Sequence, residues 1–504
     1  MAAIAAIGAA LLAACGGGGD ELTAAREAPA GSSNCEGRRN DTVDKLLACV
    51  TLQGVRAHQA ALQQIADANN GTRAAGTPGY DGSLDYVRAR LVAAGYQVSL
   101  QGFPYTFFPA STLQQVAPVS ATHETGSFTG SGDGSVTADV VAVDINLAPP
   151  RDTTSGCEAA DFTGFPAGAI ALVQRGTCTF AVKVLNAEAA GASAVIIFNQ
   201  GNTPDREGLI VGSLTTTVAA IPVVGASFAS GVALAQPASR ATVTVPLPQP
   251  MTQYNLLAES AAGDPGNVVM AGAHLDSVLA GPGINDNGSG TAALLEVALQ
   301  MAKAKPRNKL RFAWWGAAES GLTGSTAYVT GLSEAQRRAI TLYLDFDAVG
   351  SPNHVFFVYD GDNSDAMGAG AGPEGSEFIE QTFARFYRER SIPFKGTDFS
   401  GGSDYGPFVA VGIPSGGLTT VAEGLKTAEE ASIWGGTAGI AYDPCYHLAC
   451  DTLDNNNDRA LDVNADAIAY AMLKYAMNTS EINNARSKGN FKKLIVPYPP
   501  IPAQ

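Results

Sequence analysis

The sequence has little positive charge, few histidines and few cysteines. Its 504 residues include 31 Lys and Arg against 47 Asp and Glu, a formal net charge of −16, with only 5 His and 7 Cys. A chain without a basic stripe cannot displace counterions from phosphates, so nucleic acid is excluded as an expected partner. The apolar run at residues 2–14 is shorter than the roughly 20 residues of a membrane-spanning helix, so it does not predict a transmembrane anchor.

The same apolar run is typical of an export signal. It ends in the letters LAAC at Cys15, which resemble the lipobox of bacterial lipoproteins, and a run of glycines follows. Acylation would then make Cys15 the mature N-terminus and the only point of membrane contact. Because no Lys or Arg precedes Cys15, a start further upstream and an ordinary secretory signal stay open as alternatives. Both interpretations predict an exported protein, on the cell envelope or secreted.

The cysteines after Cys15 lie close together in pairs along the chain. Short disulfide loops explain such neighbours in an exported protein better than metal sites do, although sequence alone does not fix the connectivity. The predicted pairs are Cys35 with Cys49, Cys157 with Cys178, and Cys445 with Cys450.

Changes in residue pattern divide the chain into segments. A hydrophobic content of 46% at this length predicts a sizeable core and more than one domain. Apolar residues spaced three and four apart predict helices in the first folded segment, and β-branched runs between Gly, Pro and Asp predict a mostly β unit after it. Alternating strands and helices then predict an α/β fold, with a mixed, largely parallel sheet sandwiched by helices. The predicted segments are 1–33 (signal, lipobox and tether), 34–112 (first part of the α/β domain), 113–250 (mostly β), 251–485 (α/β) and 486–504 (proline-rich tail).

Five potential metal ligands lie at predicted strand ends or turns: His274, Asp286, Glu319, Asp347 and His447. Two histidines and three carboxylates are the set that two zinc ions sharing one carboxylate would require, although cobalt or manganese could use the same donors. Taken singly, each residue has a structural alternative. His447 beside two cysteines could be a buried histidine, and Asp286 between two asparagines could form a turn. Together, in a chain with so few histidines, they favour a metal centre.

Seven short motifs follow one another along the chain in the order HLDS, GINDNGSG, WWGAAESGLTGS, YLDFDAVGSPN, SDYGPF, GIPSGGL and YDPCYHLACD. Together they resemble the M28 family of zinc aminopeptidases, specifically the secreted bacterial leucine-type enzymes. The segment GAIALVQRGTCTFAVKVLNAEAAGASAVIIFNQ also resembles the protease-associated (PA) domain, which is inserted into some peptidases. The peptidase resemblance implies removal of N-terminal residues, with large apolar ones favoured, from peptides or proteins. The chain is expected to be a monomer.

The resemblance also implies a role for each site residue. Asp286 would bridge two zinc ions, one completed by His274 and Asp347 and the other by Glu319 and His447. Tyr446 would donate a hydrogen bond to the oxyanion of the tetrahedral intermediate. Independently of the family, Asp276 lies two residues after His274 and shares its face of a strand, so its carboxylate is predicted to orient the imidazole.

One position departs from the family motif, which has two consecutive glutamates where this chain reads Ala318-Glu319. The first family glutamate is the general base and the second is a ligand, so Ala318 occupies the position of the base. General acid and base catalysis contributes roughly 10²–10⁴-fold, and turnover is expected to fall by about that factor with zinc binding retained. The alternative is a non-catalytic, zinc-containing surface lipoprotein that binds peptide N-termini. A milder departure is Asp345, where the family has asparagine.

Overall fold

The computed structural model describes Cys35 and residues 37–215, 217–368 and 370–486. The predicted signal and tether, the predicted lipidation of Cys15 and all but the first residue of the predicted proline-rich tail lie outside the described residues. Among the helices that are described, none combines the length and the apolar character needed to cross a bilayer.

Two sheets and a set of α-helices make up the described chain. The strands are β1 (Gln97–Phe107), β2 (Thr112–Ala117), β3 (Ala121–His123), β4 (Gly134–Ala142), β5 (Ile170–Gln174), β6 (Ala194–Phe198), β7 (Val223–Ala226), β8 (Arg240–Val245), β9 (Gln249–Glu259), β10 (Asp264–His274), β11 (Asn308–Trp315), β12 (Ile340–Asp347), β13 (Phe357–Tyr359), β14 (Lys395–Thr397) and β15 (Ser415–Thr419). The helices are α1 (Val43–Leu47), α2 (Leu52–Ala68), α3 (Pro78–Ala93), α4 (Phe180–Ala189), α5 (Phe228–Leu234), α6 (Gly288–Met301), α7 (Thr323–Gly331), α8 (Glu334–Ala339), α9 (Ser376–Glu389), α10 (Tyr405–Ala410), α11 (Ala428–Trp434), α12 (Asp458–Met477) and α13 (Ser480–Ala485).

The larger sheet has eight strands in the order β1-β9-β11-β10-β12-β15-β13-β14. Strands β11, β10, β12 and β15 are parallel, whereas β9 runs antiparallel to both of its neighbours and β13 runs antiparallel to β15. The central strands carry long buried apolar runs, as expected when both faces of a parallel sheet are covered. The predicted α/β fold with a mixed sheet is therefore confirmed.

Helices cover both faces of this sheet, and alternate residues of a strand enter opposite cores. On β11, Phe312 and Trp314 join the core that contains α6 and α12, whereas Ala313 and Trp315 join a second core with Tyr343. Strands in this position cannot shift by one residue without exchanging their two faces. This constraint fixes where each strand ends, and hence where the residues after it lie.

The smaller sheet has seven strands in the order β3-β2-β8-β4-β5-β6-β7, with α4 and α5 packed against it. The chain enters and leaves this unit through β1 and β9, which pair antiparallel from Gln97↔Glu259 to Phe107↔Gln249. The predicted mostly β unit is thus inserted between two neighbouring strands of the larger sheet. Its parallel strands pack against helices α4 and α5.

The three predicted disulfides are confirmed. Bonds join Cys35 to Cys49, Cys157 to Cys178 and Cys445 to Cys450, with S–S distances of 2.10, 2.05 and 2.09 Å.

Candidate metal centre

The five predicted ligands come from separate segments at one edge of the larger sheet. His274 is the last residue of β10, Asp347 is the last residue of β12, and Glu319 lies in the turn after β11. Because β11, β10 and β12 are parallel neighbours, their carboxyl ends meet at the same edge. Asp286 lies in the loop before α6, and His447 lies in the loop closed by the last disulfide.

The two histidines approach different oxygens of one carboxylate. His274 Nε2 lies 3.3 Å from Asp286 Oδ1 and 3.3 Å from Asp347 Oδ1. His447 Nε2 lies 3.2 Å from Asp286 Oδ2 and 3.0 Å from Glu319 Oε2. Asp286 thus stands between two groups of donors, each containing one further carboxylate and one imidazole.

The donors fit a metal better than they fit one another. Glu319 Oε1, Asp347 Oδ1 and His447 Nε2 are buried atoms that form no hydrogen bond within the described part of the chain. A buried polar atom left without a partner is costly, which points to an ion as the missing partner. Imidazole nitrogen and carboxylate oxygen are the donors that zinc commonly takes in proteins.

In the metal-free centre, the pKa values of both histidines and of Glu319 are raised. Burial acts to lower the pKa of His447, but the close approach of the Asp286 and Glu319 carboxylates outweighs it and raises this pKa to about 10. The pKa of His274 is likewise raised, because Asp347 and Asp286 outweigh its burial. Burial and the charge of Asp286 raise the pKa of Glu319 to about 7. A metal that binds these side chains therefore has to displace protons from both imidazoles.

Asp276 contacts the turn that carries Glu319. Its Oδ1 accepts a hydrogen bond from Ala318 N at 3.1 Å, and its Oδ2 accepts one from Glu319 N at 3.2 Å. His274 Nδ1 lies 3.1 Å from the main-chain oxygen of Asp276 but 3.8 Å from its carboxylate. A carbonyl oxygen only accepts, so Nδ1 carries a hydrogen and Nε2 faces the other ligands. The predicted support of His274 by the Asp276 carboxylate stays a prediction; the contacts with the turn were not foreseen.

Ala318 and Tyr446 each directly precede a candidate ligand in the sequence, Glu319 and His447 respectively. Ala318 is 8% exposed and offers only a methyl group at the predicted position of the base. Tyr446 stacks on His447 with ring centroids 3.8 Å apart, inside the disulfide loop. Burial and the nearby carboxylates raise the pKa of Tyr446, so its hydroxyl keeps its proton at neutral pH and is available as a donor.

Ser403 joins a second carboxylate to the centre. Its hydroxyl lies 2.7 Å from Asp345 Oδ2 and 2.8 Å from Asp347 Oδ2. Tyr343 also donates to Asp345, at 3.0 Å, and burial together with the charge of Asp404 raises the pKa of Asp345 well above its usual range. In the sequence Asp345 is only a minor departure from the family motif, and the pattern does not predict this bridge to a ligand.

The chain is similar to known proteins over most of its length. Residues 255–472 match the model of Peptidase family M28, and residues 136–234 match that of the PA domain. The chain is 49% identical over 450 residues to "Aminopeptidase" of Pseudomonas aeruginosa, covering 86% of this chain and 83% of that protein. It is 41% identical over 447 residues to "Probable lipoprotein aminopeptidase LpqL" of Mycobacterium tuberculosis, covering 85% and 86%. Among solved structures it is similar to BSAP, a zinc aminopeptidase from Bacillus subtilis, with a TM-score of 0.63, 23% identity, and coverage of 88% and 99%.

Proposed function

Because the chain belongs to Peptidase family M28, we propose that it is an exported metalloaminopeptidase that acts on the N-termini of peptides and proteins. The observation that carries the proposal is the convergence of two imidazoles on the two oxygens of Asp286, at 3.3 and 3.2 Å. Relatives named aminopeptidase and lipoprotein aminopeptidase support the activity and the export. A large apolar N-terminal residue is the proposed preference.

Two zinc ions are the proposed cofactors. His274 and Asp347 would hold one ion, Glu319 and His447 would hold the other, and Asp286 would bridge them. When bound, zinc supplies Lewis acidity, which lowers the pKa of water and polarises the scissile carbonyl. The shared carboxylate and the unpartnered buried atoms support this assignment.

The chain's own residues have the remaining roles. Tyr446, which keeps its proton, would donate a hydrogen bond to the oxygen of the tetrahedral intermediate, a contact worth roughly 10²–10³ in rate for one such donor. Ala318 cannot take a proton from water or return one to the leaving amine. We therefore expect slow turnover in this chain, lowered by about the 10²–10⁴-fold that general acid and base catalysis supplies.

The missing base also supports a second function. A zinc centre without a proton carrier would bind the N-terminus of a peptide and release it unchanged. On this alternative the chain is a zinc-containing, peptide-binding surface lipoprotein. The two functions differ in what Ala318→Glu does, since a carboxylate at this position restores turnover only if the rest of the centre is catalytic.

The test compares hydrolysis of a leucyl chromogenic amide by the wild-type chain, Ala318→Glu and Ala318→Gln, each loaded with zinc and assayed for metal content. Glutamine has the shape of glutamate without its basicity, so it serves as the matched control. We expect Ala318→Glu to raise kcat by about 10²-fold or more, with Ala318→Gln near the wild type. Equal and negligible turnover in all three, with two zinc ions bound, would favour the peptide-binding alternative.

A further inference from the structure

Asn285, the residue before Asp286, has a fully buried amide that contacts two other segments of the candidate centre. Its Nδ2 donates to Asp443 Oδ2 at 2.7 Å and to Ser351 Oγ at 3.1 Å. Its Oδ1 accepts from Gly350 N at 3.2 Å. Both N–H groups and the oxygen of the amide are therefore used.

The backbone beside this amide is held as well. Asp451 Oδ1 accepts from Asn285 N at 2.9 Å, and Asp451 Oδ2 accepts from Asp286 N at 3.0 Å. The main-chain oxygen of Asp451 also accepts from Ile284 N at 3.0 Å. Asp451 therefore accepts hydrogen bonds from three consecutive backbone amides, 284 to 286, in the loop that carries Asp286.

These contacts link three ligand-bearing segments. Gly350 and Ser351 follow Asp347 at the end of β12, while Asp443 and Asp451 flank the disulfide loop that carries His447. The Asn285 side chain contacts the first segment and one end of the disulfide loop, and it does so from the residue next to Asp286. The Asn285 amide therefore connects the three segments that carry Asp286, Asp347 and His447.

We propose that Asn285 is a positioning residue that holds these three ligands at the separations two zinc ions require; this inference rests on the proposed zinc centre. Replacing a residue that orients metal ligands without binding the metal itself typically changes metal affinity by 10–100-fold. Aspartate at 285 keeps the shape of the side chain, but it replaces two donors by acceptors that face Asp443 and Ser351. We expect repulsion between this carboxylate and that of Asp443 to move the disulfide loop away from Asp286.

Asn455 supplies a matched control. Its Nδ2 donates to the same two carboxylates, Asp443 Oδ1 at 2.8 Å and Asp451 Oδ1 at 3.0 Å. Both contacts stay within the segment 443–455, so they do not connect the disulfide loop to Asp286 or Asp347. Asn455→Asp introduces the same charge beside the same carboxylates, one of which also accepts from Asn285 N. It breaks no hydrogen bond that joins two ligand-bearing segments, so it measures the effect of the added charge alone.

The experiment measures zinc affinity by competition with a chelator, zinc content, and the melting midpoint of the chelated protein, for the full chain and its Asn285→Asp and Asn455→Asp variants. We expect Asn285→Asp to weaken zinc binding by about 10–100-fold and Asn455→Asp to change it by less than about threefold. In the Ala318→Glu background, Asn285→Asp should lower kcat more than it raises KM. If Asn285→Asp does not fold, Ser351→Ala removes one partner of the amide, and we expect it to weaken zinc binding measurably.

The outcomes separate this inference from the proposed function. Equal zinc affinities for the 285 and 455 variants would overturn the positioning role, whatever the turnover. A wild-type chain that binds no zinc would overturn both the positioning role and the proposed function. Two bound zinc ions with an inactive Ala318→Glu variant would count against the peptidase alone, because the zinc affinities still decide the role of Asn285.

Discussion

The Asp276 carboxylate, fully buried behind the ligands, offers a local test of how the turn with Glu319 is held. It accepts hydrogen bonds from the amides of Ala318 and Glu319. In Asp276→Asn one of these two amides must face an NH₂ group, because asparagine has a single acceptor oxygen. Loss of a hydrogen bond to a charged group costs about 1.5–3 kcal/mol. Since about 1.4 kcal/mol is a factor of ten, local opening should become about 10–100-fold more frequent.

Hydrogen exchange of the chelated protein measures this opening directly. We expect peptides covering residues 317–321 to exchange about 10–100-fold faster in Asp276→Asn, while the buried strand Ile170–Gln174 in the other sheet is unchanged. Asp264→Asn is the matched control, since Asp264 lies at the opposite end of β10 and accepts from Gly266 N at 2.9 Å. Unchanged exchange at 317–321 together with weaker zinc binding would refute the reasoning and leave Asp276 acting only through His274.

Two further predictions concern pH and Tyr446. The pKa of His447 is raised to about 10 in the folded, metal-free protein, whereas a value of about 6.5 is expected in the unfolded chain. The protonated histidine therefore stabilises the fold fully below pH 6.5, and this stabilisation disappears as the pH rises toward 10. The melting midpoint of chelated protein should therefore fall over this range while that of zinc-loaded protein changes less; a flat or rising midpoint in chelator would contradict the pairing of His447 with Asp286 and Glu319. In the Ala318→Glu background, Tyr446→Phe should lower kcat by about 10²-fold with zinc content and KM nearly unchanged, and a loss confined to KM would argue against a role in the transition state.

Some of the site residues that could be predicted from the sequence lie at the ends of strands. Apolar runs followed by His274 and Asp347 predict buried strands, and parallel neighbours bring their last residues to one edge. The disulfides were also accessible, because each pair of cysteines is close in the chain and export favours bonds between them.

The supporting contacts were not accessible, because they join residues far apart in sequence. Arg73, between α2 and α3, is fully buried and donates to the main-chain oxygens of Leu275, Pro282 and Gly283. Burial lowers its pKa to about 10, and the carboxylate of Asp276 opposes this effect. Nothing in the local pattern around residue 73 indicates that its guanidinium closes the loop leading to Asp286. The contact between the Arg73 side chain and this loop can be recognised only in the folded structure, where the two segments lie together.

The alanine at 318 is compatible with an intact centre because nothing in the turn depends on its side chain. The Ala318 and Glu319 amides bind Asp276, the Ala318 oxygen accepts from Leu322 N at 2.9 Å, and the Ala317 oxygen accepts from Thr323 N at 3.0 Å. All of these contacts use main-chain atoms of residues 317–319, so they form with any side chain that the space at 318 admits. If residue 318 is the position of the general base, as proposed, alanine there removes a proton carrier without releasing Glu319. For this reason metal binding and turnover are expected to separate at residue 318, whereas at Asn285 they should fall together.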